Sequence, residues 1–131
     1  MTRLILKLAP KERLLINGAV IENGEKRTKI SIRTPDVHVL RLKDAIHPND
    51  VKTPVSQACY IAQLILSGDI EKAEGHRELL ETIHRLGPLF VDRDNKETLE
   101  RVADLAAGGK YYHVIRKLRD LLPAEAQILG G

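Results

Sequence analysis

Between Arg27 and Arg33 the chain alternates strictly between two kinds of side chain: Arg27-Thr28-Lys29-Ile30-Ser31-Ile32-Arg33. A repeat of two puts Arg27, Lys29 and Arg33 on one face of a strand and Ile30 and Ile32 on the other. Arg3-Leu4-Ile5-Leu6-Lys7-Leu8 repeats the pattern, and Val39-Leu40-Arg41-Leu42-Lys43 follows it less cleanly. Together the three segments predict a one-sided antiparallel sheet, Leu and Ile inward, Lys and Arg outward.

Turn signals divide this region further. Asn17-Gly18 and Asn23-Gly24 are hairpin dipeptides, because a tight turn needs positive φ that Asn tolerates and Gly allows. Arg13-Leu14-Leu15-Ile16 precedes the first and Ala19-Val20-Ile21-Glu22 lies between them. Pro10 and Lys11 make the first bend, and Thr34-Pro35-Asp36 a later one. The expected result is an antiparallel β-meander of about five short strands over residues 1–47.

Beyond a polar connection at 48–53, where Asp44 to Pro48 can hold one helical turn, the period changes to that of a helix. Thr53 and Pro54 form a start signal. Residues 56–66 then place Ile61, Leu64 and Ile65 together, and Ser67-Gly68-Asp69 ends that helix and caps the next. Residues 70–86 follow with Leu79, Leu80, Ile83 and Leu86 in phase, stopped by Gly87-Pro88. Asp94 or Asn95 caps a third helix carrying Leu99, Val102, Leu105 and Ala106, and Gly108-Gly109 stops it. Lys110 to Leu122 is the fourth, ending before Pro123. The fold class is therefore α+β: about five strands, then a helical unit of about four helices over 54–122, with a loose tail at 124–131. One compact domain is expected.

Composition sharpens this picture. Aromatic residues are only 3% of the 131, with no Trp, so the core must be aliphatic. One cysteine, Cys59, excludes an internal disulfide, and no apolar run suggests a secretion signal or membrane span. A reducing cytoplasm is the expected location. Residues 1–52 hold eleven Lys/Arg against six Asp/Glu, whereas residues 53–131 hold ten against twelve. The positive charge thus belongs to the strands, and it suits an anionic partner.

Catalytic and metal chemistry find no pattern. His38, His47, His76, His84 and His113 show no i, i+4 ligand spacing, and no glycine loop cradles a phosphate. Asp92-Arg93-Asp94-Asn95 lacks the glycine and distant glutamate of a calcium loop. Cys59 sits among apolar residues, as an inert buried thiol would. No enzyme activity, cofactor or metal is expected. Two basic clusters remain. The first is Arg3, Lys7, Lys26, Arg27, Lys29, Arg33, Arg41 and Lys43 on the strands. The second is Lys110, Tyr111, Tyr112, Arg116, Lys117 and Arg119, where tyrosines beside cations could stack on unpaired bases. At helical spacing Tyr111, Ile115, Leu118 and Leu122 also read as core.

The run Leu14 to Gly24, followed by basic residues, resembles the FlbT family of flagellum biosynthesis repressors. So do Val39 to Ile46, Thr53-Pro54, Tyr60-Ile61-Ala62-Gln63-Leu64 and Ser67-Gly68, in order and at matching spacing. The resemblance implies a post-transcriptional regulator that binds the flagellin mRNA leader, lowers translation and promotes decay. It also implies a link to a small companion, FlaF. The alternative is a protein-interaction module that grips FlaF, flagellin or another flagellar factor and affects the mRNA indirectly. Exposed edges on so small a sheet point further to a homodimer.

Overall fold

The computed structural model describes residues 4–17, 19–35, 37 and 39–130. Five strands come first: β1 (Leu4–Leu8), β2 (Arg13–Ile16), β3 (Ala19–Glu22), β4 (Thr28–Ile32) and β5 (Val39–Arg41). Five helices follow: α1 (Pro54–Ser67), α2 (Lys72–Leu86), α3 (Arg93–Ala107), α4 (Tyr111–Arg119) and α5 (Leu122–Gly130). The α+β class and the order of strands before helices are as the sequence indicates.

The strands do not pair in simple succession. β1 and β4 form an antiparallel ribbon, and a separate three-stranded sheet runs β3-β2-β5. One feature of the sequence explains this. Leu14-Leu15-Ile16 in β2 and Val39-Leu40 in β5 break the alternation because these two strands are covered on both sides, whereas β3 at the sheet edge is exposed. Leu14 and Val39 pack with Leu6 and Leu8 of the ribbon, whereas Leu40 belongs to the helical core and Leu15 packs against it. The molecule is thus layered as ribbon, sheet, helices. Only the ribbon carries the one-sided pattern, with Leu6 and Leu8 buried and Ile5, Lys7, Lys29 and Ser31 exposed.

The two Asn-Gly turns behave differently. Ile16 faces Ala19 across the β2–β3 hairpin, and Asn17 has φ 50°, as a two-residue turn requires. Gly18, Asp36 and His38 lie outside the described residues. Asn23-Gly24 is not a hairpin turn: it carries the chain from the sheet to the ribbon, and neither residue has positive φ. The Asn23 side chain instead braces the crossing, donating to the carbonyls of Ala9 (2.8 Å) and Lys26 (2.9 Å). At the bend after β1, Lys11 has φ 62° and its N–H donates to the Gly24 carbonyl.

Helix ends follow capping chemistry, with three corrections. Thr53 caps α1 through a reciprocal pairing with Ser56, and Gly68 closes it at φ 81°. For α2 the cap is Glu71, which accepts the N–H groups of Ala73 and Glu74, while Asp69 accepts from the Ser67 hydroxyl. For α3 it is Asp92, accepting from Asn95, so Asp94 and Asn95 already lie inside the helix. The third concerns residues 124–130, expected as a loose tail. They belong to α5, because Pro123 occupies a first turn rather than ending a helix. Glu125, 2% exposed, accepts the Val55 N–H at 2.8 Å and so docks α5 on the start of α1.

α1 and α2 approach so closely that a Cβ at Gly75 would lie 2.6 Å from Cγ1 of the buried Ile65. Helix propensity alone favours alanine there by ~1 kcal/mol. Overpacking at a rigid contact costs ~1–3 kcal/mol and should win. Gly75→Ala is therefore expected to lower the thermal midpoint by several degrees, and a raised midpoint would contradict the close helix contact.

Candidate nucleic-acid interface

The ribbon's outer face brings like charges together. Lys7 of β1 and Lys29 of β4 are direct cross-strand partners, and both are exposed. Like charges so placed cost the ribbon stability, which an anion between them would restore. Arg27 enters from the segment before β4, and Lys43 from a single helical turn after β5. These four cations line a groove of about 370 Å³ at the end of the ribbon nearest the β1–β2 bend.

Glu12 and Arg41 also line it. Arg41, expected with the outward cations, is turned inward. β5 alternates Val39 toward the ribbon and Leu40 toward the helices, so Arg41 follows Val39. Its Nε donates to Glu12 at 2.6 Å, and its Nη2 to Glu12 at 2.7 Å and to the Lys7 carbonyl at 2.6 Å. The Glu12 carboxylate also accepts the Ala9 N–H at 2.9 Å. The two side chains are only 11% and 7% exposed, so this is a two-pronged pair largely shielded from water. The Glu12 carboxylate, and to a lesser extent the Tyr112 hydroxyl of α4, raise the Arg41 pKa. The pair thus ties ribbon to sheet at one point, while Lys7, Arg27, Lys29 and Lys43 supply the other charges that line the groove.

The other expected residues scatter. Lys26 is exposed in the crossing segment but does not line the groove. Arg33 follows Ile32, which pairs with Leu4 at the opposite end of the ribbon. Five residues of strand, ~17 Å, separate that end from Thr28. Arg3 lies outside the described residues.

In the second cluster, Tyr111 is core: 5% exposed, with its hydroxyl 2.7 Å from Nδ1 of His76. Tyr112 is half-buried, and Lys110 is exposed at the position before α4. Arg116 and Lys117 line a hollow of about 440 Å³ with Arg101, His113 and Asp120. Arg119 is not part of it and lies near the buried Cys59. Burial pushes the Cys59 thiol up to about 12, so it is inert. Arg101 escaped the sequence reading because it sits in no basic run, and only the packing of α3 on α4 brings it to Arg116; His113, three residues before Arg116 on α4, was legible from helical spacing. Glu12 escaped it because one acid in a basic segment gives no sign of its partner 29 residues away.

Among the described residues, no group of three His, Cys, Asp or Glu could hold a metal ion. No helix there is long and apolar enough to cross a membrane.

The family model described as "Flagellar protein FlbT" matches residues 4–129. A protein of Chelativorans sp. (strain BNC1) is 30% identical over 127 residues, covering 96% of this chain and 86% of its own. One of Brucella anthropi is 25% identical over 125 residues, covering 95% and 81%. One of Brucella abortus (strain S19) is 24% identical over 130 residues, covering 99% and 84%. Each of the three is named "probable flagellum biosynthesis repressor protein FlbT". No solved structure matches the chain significantly.

The Glu12–Arg41 pair generates a pH prediction. Hydrogen bonding from Arg41 holds the Glu12 carboxyl at about 2, against an ordinary 4.5. A lowered folded-state pKa contributes stability that is complete above the ordinary value and disappears as pH falls through the folded one. A shift of this size corresponds to ~3 kcal/mol, lost between about pH 4.5 and 2. Glu12→Gln should lower unfolding free energy by ~3 kcal/mol at pH 7 and flatten the acid limb in that window. Denaturant titrations at pH 7, 4 and 2.5 would show it; parallel curves for variant and wild type would refute it.

Proposed function

The chain belongs to the FlbT family, and on that premise we propose that it represses flagellum biosynthesis by binding the leader of flagellin mRNA in the cytoplasm. Lys7, Arg27, Lys29 and Lys43 take the phosphates. Translation falls because the bound leader is closed to the ribosome, and decay follows from the loss of translation. The observation that carries this reading is the Lys7–Lys29 opposition on an exposed ribbon, within a groove that also gathers Arg27 and Lys43. An anion between the two lysines would relieve their repulsion. The names of the relatives support the repressor role, and the groove supports an anionic target.

A second reading has its own observation. An apolar groove of about 400 Å³ runs between α2 and α3, lined by Leu80, Ile83, Leu99 and Ala103, with Lys96 and Glu100 at its rim. It would accept one face of an amphipathic helix, and FlaF or flagellin are the candidates. β3 is exposed at all four positions on the edge of its sheet and would serve a homodimer. These surfaces are distinct from the cationic groove, so protein partners and RNA do not compete for it.

Electrophoretic shift of the flagellin leader across a salt series separates the readings. Wild type should bind with a logarithmic salt slope of ~0.7 per neutralised phosphate. Lys7→Glu with Lys29→Glu should weaken binding at least about tenfold and reduce that slope. Unchanged affinity and slope in a variant with wild-type circular dichroism would remove the groove from the mechanism. Failure of the wild type to shift any leader, with capture of FlaF or flagellin, would favour the second reading.

A further inference from the structure

The cations of the ribbon groove converge on one point and do not run on along the strands. Lys7 comes from β1, Arg27 and Lys29 from the approach to β4 and β4 itself, and Lys43 from the turn after β5. All four are exposed. Glu12, the only acid among the described lining residues, is held by Arg41 and the Ala9 N–H, with Lys43 a weaker electrostatic neighbour. On the same face of the ribbon the next cross-strand pair is Ile5 with Ser31, exposed and uncharged. Arg33 lies beyond that pair. The rest of the described lining is Leu8, Ala9 and Thr28, with no aromatic ring among it. At about 370 Å³ the groove is near the lower end of the range for small-ligand sites, ~300–1,000 Å³.

Resting on the RNA reading above, we infer that the groove takes the 5′-triphosphate end of the transcript and not phosphates from within the strand. Charge density decides between the two. An internal nucleotide brings one negative charge. A triphosphate end gathers roughly four into one short chain, its terminal group being nearly doubly ionised at pH 7. Lys7 and Lys29 repel each other across the ribbon, and the relief an anion gives rises with the charge it places between them. A strand running along the same face has to cross Ile5 and Ser31, which offer its phosphates no charge. Single strands are otherwise gripped by stacking their bases on aromatic rings, which the described lining lacks. The groove therefore recognises a phosphate chain and makes no use of a base. Its preferred target is a transcript whose 5′ end is still unprocessed.

The chemistry of the RNA end tests this. The flagellin leader is prepared with a 5′-triphosphate, a 5′-monophosphate or a 5′-hydroxyl, and each form is titrated onto the full chain. The triphosphate form should bind at least about tenfold tighter than the other two and lose affinity more steeply with salt. Lys7→Gln with Lys29→Gln, which removes the repulsion and so spares the fold, should bring the three forms within about twofold of one another. Inorganic tripolyphosphate should displace the triphosphate leader, and ATP should displace it no better. Equal affinity for the three forms would overturn the inference, as would displacement by ATP at far lower concentration than by tripolyphosphate. If Lys7→Glu with Lys29→Glu still weakened three equally bound forms, the groove would stand as a site for internal phosphates, and the RNA reading with it. A wild type that binds tripolyphosphate but shifts no form of the leader would overturn end recognition and the RNA reading together, leaving a site for free polyphosphates.

Discussion

The architecture hangs on a carboxylate and a guanidinium that have been taken largely out of water. Glu12 sits at the bend between ribbon and sheet, Arg41 at the end of the last strand, and Arg41 donates both to Glu12 and to the Lys7 carbonyl. Breaking such a pair strands a charge in a poorly solvated place, which is costly, whereas keeping it fixes where each element ends. The groove's four outward cations are positioned by this neutral floor. A groove whose floor carried an unpaired Arg41 would hold more charge and less shape.

Around that point the layers follow from ordinary burial. In the middle sheet β2 and β5 are covered by the ribbon on one side and the helices on the other, so they are nearly continuous in Leu, Ile and Val. The ribbon is covered on one side only and alternates. Leu40 and the buried faces of α1 to α4 form one aliphatic cluster, with Phe90 and Tyr111 the aromatic residues buried in it. Sheet and helices therefore share a core.

Most of this was legible in the order of residues, and the failures have physical causes. Strand and helix positions could be read because hydrophobic period is a local property. Pairing could not: Asn23-Gly24 carries a hairpin signature, but the Asn23 side chain is used to hold a crossing between layers. Pro123 reads as a stop and acts as a start, because the test for each is the geometry of the next turn, which depends on Glu125 finding Val55. In the candidate site, Lys7, Arg27, Lys29 and Lys43 could be named from pattern. Arg41 could not be told apart from them, since its partner is 29 residues away in the chain. Arg101 carried no signal, because its place beside Arg116 and Lys117 is a product of the packing of α3 on α4.

The central claim is physical contact between the ribbon's cations and RNA, and amide and side-chain NMR shifts on adding a flagellin leader fragment report on that contact residue by residue. The account predicts that the largest changes fall on Lys7, Arg27, Lys29 and Lys43, and that the α2–α3 groove around Leu80 and Leu99 stays unmoved. Changes confined to the α2–α3 groove or to the β3 edge, with the ribbon silent, would contradict it.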